Sequence, residues 1–221
     1  GSITYEAFIA KYNADLANTL GNLVNRTVAM ANKYFAGEID AAAPENELDE
    51  DLKRTALETR AAVLSAMDGY RTADVLQAVM NLAQRSNKYI DETMPWALAK
   101  DPEKQARLKA VLSNLIEAIR YLGVLLLPFM PSTSTAILEQ INALGSELAS
   151  LDAFGSAPAR KVGTAKALFA RLDEEETMKR IDAEIIQPQI AEAKKEEKQP
   201  EGVAMIGIDD FAKVELRAAK V

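Results

Sequence analysis

LANTLGNLVNRTVAMANKY, Leu16 to Tyr34, decides the fold. Leu16, Leu20, Leu23, Thr27, Met30 and Tyr34 recur at alternating spacings of four and three, which a helix turns into one continuous apolar seam. Such a seam needs other helices to cover it, and Gly37 just beyond it marks a C-terminal stop. Outward from there, AAAPENE (Ala41–Glu47) reads as a loop. The acidic run Glu47 to Asp51 suits the positive end of a second helix, which should end near Asp68-Gly69. Thr72 can cap a third helix with Asp74 in its first turn. Its apolar face carries Val75, Val79, Leu82, Ser86 and Tyr89, with Leu76, Ala83 and Ile90 alongside. Pro95 stops it, because the residue before a proline is pushed out of helical geometry. Asp101-Pro102-Glu103 then opens a fourth helix through Leu112, Leu115, Ile119 and Leu126, broken at LLLPFMPSTS (Leu125–Ser134). A fifth helix should run from near Ser132 to near Gly145. Five antiparallel helices with short connections predict an all-α bundle over residues 1–150.

The character then changes. LDAFGSAPARKVGT (Leu151–Thr164) is loop-like, and residues 151–190 are expected to form a partly helical extension. Residues 191–203, with AEAKKEEKQPEG, read as a charged linker. In 204–221, Val214 and Leu216 alternate with Lys213, Glu215 and Arg217, the period of a half-buried strand. One or two strands make no stable sheet, so the truncated start of a β-domain is expected there.

Composition narrows the chemistry. The 221 residues contain no cysteine and no histidine, which removes disulfides, Cys/His zinc sites, Cys–His pairs and Ser–His–Asp triads. With 33 acidic against 26 basic residues, the net charge of −7 argues against non-specific grip on phosphates. No apolar run approaches the roughly 18–20 residues of a membrane span. GSITYEAF has no signal-peptide pattern and no initiator methionine, so an intracellular piece of a longer protein is expected.

Two constellations stand out. Asn18, Asn22 and Arg26 fall at i, i+4 and i+8, one stripe of two amides and a guanidinium beside the apolar seam. Such donors and acceptors can read base edges, and the same spacing also suits a solvated helix face. Trp96, the one tryptophan, follows Pro95 in YIDETMPWALAK (Tyr89–Lys100). Its ring could stack on a base, or cover the end of the bundle. Asp91 and Glu92 lack the nucleophile or ligand partners that would make them an acid–base pair.

NADLANTLGNLVNRT (Asn13–Thr27), KYIDETMPWALAKD (Lys88–Asp101), LLLPFMPSTS and LFARLDEEE (Leu168–Glu176) together resemble the anticodon-binding helical domain of methionyl-tRNA synthetases, a class I type of bundle. IGIDDFAKVELRAAKV (Ile206–Val221) resembles the opening of the OB-fold tRNA-binding domain appended to many bacterial members. The resemblance implies that Trp96, with Pro95 before it, stacks on splayed anticodon bases. It implies that Asn22 and Arg26 hydrogen-bond those bases, that Asn18 lies on the same stripe, and that the anticodon read is CAU. Arg85 and Lys88 are expected to touch the tRNA backbone. The implied setting is cytoplasmic, with methionine tRNA as partner and a homodimer formed through the OB domain in the parent. The parent attaches methionine to tRNA using ATP and Mg. This chain has no histidine for the family's HIGH motif and no KMSKS-like run, so no catalysis and no cofactor are expected of it alone. Leu138 stands where many relatives have tryptophan. The competing expectation is an α-helical scaffold for a protein partner or a second copy, with Trp96 as an interface anchor.

Overall fold

The computed structural model describes residues 4–42 and 45–196, together with 207 and 209. It divides into two compact units, residues 1–172 and 173–221. In the first, α1 (Tyr5–Lys11), a π-helical stretch (Tyr12–Gly21) and α2 (Asn22–Phe35) run on without a break. Thr4 caps α1 by accepting from the Ala7 amide. Ala36 and Gly37, both left-handed, end α2. Helix α3 (Glu47–Asp68) is capped by Asn46, which accepts from the Asp49 amide at 3.2 Å. Helices α4 (Thr72–Thr93), α5 (Pro95–Leu98), α6 (Gln105–Leu126) and α7 (Pro131–Gln140) complete the bundle. Asp101 caps the short 3₁₀ turn before α6. Thr72 is not the cap of α4; Arg71 holds that position and offers no side-chain bond.

Packing alternates in direction. Arg85 and Tyr89, late in α4, bond to Asp51 and Asp49, early in α3, so these helices are antiparallel. Helix α6 is buried on every side from Val111 to Leu126, which makes it the central strut rather than an amphipathic member of a ring. Gly123 lets α7 come close: a Cβ there would lie 2.8 Å from Leu138 Cδ2.

The first unit does not end at 150. Leu151, Phe154 and Val162 are buried in the core, and β2 (Arg160–Lys161) pairs antiparallel with β1 (Glu38–Ile39). The Val162 amide bonds Gly37 O, and Asn32 Nδ2 bonds Gly163 O. Asn13 then exchanges two hydrogen bonds with the backbone of Leu172. Residues 151–172, expected as the start of an extension, are therefore part of the bundle's unit. Their Gly, Ser and Pro hid this by reading as loop, because scattered buried residues and backbone pairing, rather than an apolar period, hold them. The sheet is a two-stranded ribbon on an otherwise helical unit.

In the second unit, α8 (Glu174–Ile181), a π-helical turn (Asp182–Ile186) and α9 (Gln187–Glu196) follow one another. Helix α9 thus occupies 191–196, which the sequence assigns to a linker. The remainder of that linker and the strand expected at Val214 and Leu216 lie outside the described residues.

Candidate nucleic-acid interface

Asn18, Asn22 and Arg26 are exposed, as their spacing predicts, but they do not share one helical period. Asn18 lies within the π-helical stretch and the other two in α2. In that stretch the turns are wider, with bonds reaching one residue further than in an α-helix. Thr19 Oγ1 fills the gap by bonding the Ala14 carbonyl, five residues back, at 2.8 Å. The 100°-per-residue estimate fails across Gly21. Asn18 instead lines a groove of about 370 Å³ with Thr19, Gln84, Asn87, Lys88 and Asp91.

Two contacts tie this face of the first helix to α4. Asn87 Nδ2 donates to Thr19 O at 3.0 Å, and Arg26 Nη2 sits 3.9 Å from Asp91 Oδ1. Gln84, Asn87, Lys88 and Asp91 recur at spacings of three, one and three, the polar face of α4. That periodicity was available in the sequence, and it identifies Gln84 and Asn87 as groove residues not singled out from it.

Trp96 follows from the way α4 stops. Met94 turns left-handed at φ 44°, its amide still bonded to Ile90 O, and Pro95 begins α5. Pro95 is buried while the next side chain, Trp96, is 42% exposed. The proline was expected to push its predecessor out of helical geometry, and Met94 leaves it by this left-handed turn. No aromatic ring or cation lies against Trp96 among the described residues.

Arg85 does not match its expected role. Its Nε lies 2.5 Å from Asp51 Oδ2 and its Nη1 lies 3.0 Å from Glu92 Oε2, with the side chain largely buried. A guanidinium committed to two carboxylates braces α4 against α3 and is not poised for a phosphate. Lys88 stays exposed, its Nζ 3.6 Å from Glu92 Oε1.

Beneath this face lies a fully buried Asp49. Arg107 grips both its oxygens, at 2.5 and 2.7 Å, the Tyr89 hydroxyl donates at 2.6 Å and the Glu45 amide at 2.9 Å. Burial opposes the charge, yet the bonds from Arg107, Tyr89 and Glu45 prevail and hold the carboxyl below its ordinary range. Burial, and next the bond to Asp49, push the Tyr89 phenol upward. These groups are structural, joining α3, α4 and α6 at the end that carries Trp96. Among the described residues no cluster of acidic side chains could hold a metal ion, and no helix is long and apolar enough to cross a membrane.

Fold and site together define an all-α domain with an exposed indole just beyond α4 and exposed amides and a guanidinium on the helix that α4 contacts. The family model described as the anticodon binding domain of methionyl tRNA ligase matches residues 36–182. The methionine–tRNA ligase of Clostridium perfringens is 40% identical over the whole chain, and that of Bacillus subtilis 41%. The chain spans 34% of the length of each. Crystal structures of Mycobacterium tuberculosis methionyl-tRNA synthetase are similar in fold. The apo form gives a TM-score of 0.67 at 27% identity, covering 78% of this chain and 36% of that one. The form with methionyl-adenylate gives 0.68 at the same identity, covering 77% and 34%. The chain belongs to the methionyl-tRNA ligase family and carries its anticodon-binding domain.

Proposed function

We propose that this chain is the part of a methionine–tRNA ligase that reads the CAU anticodon of methionine tRNA. Trp96 stacks on a splayed base, most directly the first anticodon cytosine, and Pro95 fixes where that ring stands. Asn22 and Arg26 hydrogen-bond base edges, with Asn18 extending the row into the groove. Lys88 touches the RNA backbone, and Arg85 acts through the position of α4. The observation that carries this reading is an exposed indole, free of ring or cation partners among the described residues, set next to the buried Pro95 just beyond α4, the helix whose Asp91 meets Arg26. Acidic Asp91 and Glu92 make that face a poor grip for phosphate, so contacts to bases rather than charge are what the site can offer. The ligase reaction of the whole protein, with ATP and Mg, belongs to segments other than this one, as does dimerisation through an OB domain. The compartment is the cytoplasm.

Titration of the chain with a CAU anticodon stem-loop, followed by Trp96 fluorescence, tests the reading. Quenching by the CAU loop and not by a loop with another anticodon is the expected result. Equal response to both loops would overturn it.

A second reading rests on a separate feature. Phe8, Tyr12, Leu16, Leu76, Met80 and Met130 line an apolar groove, and Phe8 is 62% exposed. A scaffold role, with this groove docking a protein surface, predicts self-association in sedimentation without RNA. The anticodon reading predicts a mobility shift only when the stem-loop is present.

A further inference from the structure

The loop that follows α7 curls round a second polar cavity, of about 440 Å³, lined by Asn142, Glu147, Ser150, Ser156, Arg120 and Arg160 among others. Asn142 at φ 50° and Gly145 at φ 79° make the curl. Glu117 lies beneath it, 3% exposed, and must serve two guanidiniums. Its Oε1 accepts from Arg120 Nη2 at 2.6 Å and from the Gly155 amide at 3.0 Å. Its Oε2 accepts from Arg120 Nε at 2.9 Å. Arg120 also donates to Ser150 Oγ at 2.6 Å, to Ser150 O at 3.0 Å and to Ser156 Oγ at 3.4 Å, and the Ser156 hydroxyl in turn donates to Ser150 O at 2.9 Å.

Arg160 is left short. Its side chain is nine-tenths buried, its Nη2 lies 3.9 Å from Glu117 Oε2, and it makes no hydrogen bond among the described residues. Glu147, on the rim, forms no ion pair with it. Burial depresses the affinity of Arg160 for its proton, Glu117 opposing and Arg120 adding to that effect. A largely buried guanidinium, paired only at 3.9 Å and with its free donors open to a polar cavity, can take a second charge-assisted partner.

We propose that this cavity binds a phosphoryl oxyanion, held in two-point contact by the guanidinium of Arg160. A planar guanidinium matches the oxygens of such a group bidentately, where an ammonium would offer a point charge. The ligand is either free phosphate or a phosphodiester of a nucleic acid. None of these residues belongs to the groove at Asn18 and Asp91, so the site stands or falls independently of anticodon reading.

The test uses inorganic phosphate against sodium chloride at matched ionic strength. Phosphate at tens of millimolar should raise Tm by roughly 2–4 °C, and Arg160→Gln should abolish the rise. An equal rise in both proteins, or none in either, would overturn the site. Should Arg160→Gln fail to fold, ³¹P line-broadening of phosphate by the unaltered chain decides: broadening relieved by excess sulfate is expected, and an unbroadened line refutes the proposal. Adding an RNA stem-loop to the broadened sample separates the sources. Sharpening identifies a phosphodiester as the competitor, and an unchanged line identifies free phosphate.

Discussion

Around Trp96 a buried proline and an exposed indole are neighbours in sequence, and the left-handed Met94 makes that possible. A non-glycine residue held there costs about 1–3 kcal/mol and persists only where its surroundings demand it. Trp96→Ala should leave stability within about 0.5 kcal/mol, since the ring is half in solvent. The same change should weaken binding of a labelled CAU stem-loop by about 1–3 kcal/mol, the usual worth of one stacked base. Anisotropy titrations and thermal melts of the same samples check both halves. Arg85 and Lys88, alike from the sequence, should separate in a salt titration. Lys88→Gln should reduce the salt dependence of RNA affinity by about 0.7 in slope, the share of one phosphate on a single strand. Arg85→Gln should lower Tm with the slope unchanged, because its charge is spent on Asp51 and Glu92. The types and exposure of the candidate residues were readable from the sequence. What Arg85 does was not, because a partner 34 residues away in α3 leaves no local periodic trace.

Helices were legible where the apolar period was strict, as in Leu16–Tyr34 and the α4 face, and where a stop was steric, as at Gly37 and before Pro95. The π-helical stretch was not, since side-chain pattern barely distinguishes one extra residue in a turn. Nor was the β1–β2 ribbon, two residues a side with no alternation to display. The elements are locked by polar clusters whose pH response has a definite sign. Asp49 is held below the ordinary carboxylate range, so its contribution is fully present above about pH 4 and is lost as pH falls through the folded value. Asp49→Ala should cost about 3 kcal/mol at pH 7 by stranding the Arg107 charge, and that difference should shrink in urea unfolding below pH 4. Tyr121, donating to Leu151 O at 2.8 Å, is pushed up to about 12 by burial and by the nearby charge of Glu117. Its contribution is complete below about pH 10 and lost between there and 12, so Tyr121→Phe should flatten the alkaline loss of stability. Gly155 sits at φ 82°, and a Cβ there would meet Ala42 O at 2.2 Å. Gly155→Ala should therefore destabilise by more than about 1 kcal/mol in the same assay.

At the scale of the molecule, the unit boundary at Leu172 predicts what can be removed. A chain ending there keeps the core, the ribbon and the Asn13 bonds to Leu172, and its first unit should melt within a few degrees of the full chain by circular dichroism. Cutting instead after residue 150, the boundary that composition suggested, should lower the melting temperature sharply, because Leu151, Phe154 and Val162 leave the core. The all-α class was clear because apolar period sums over many turns. The boundary was not, since it depends on a few buried residues scattered without period through a loop-like stretch.

The wide turns between Tyr12 and Gly21 mean that the first helix behaves like two dials on one shaft. The core sets the angle of the lower dial, through Leu23, Thr27 and Val28. The upper dial, which carries Asn18, is set at a different angle by the wide turns and is held there by Leu20 in the core, by the Asn87 bond to Thr19 and by the Asn13 bonds to Leu172. Returning that segment to ordinary α-helical turns would re-aim Asn18 against Asn22 and Arg26, and it would swing Ala17 and Leu20 out of the core at the same stroke.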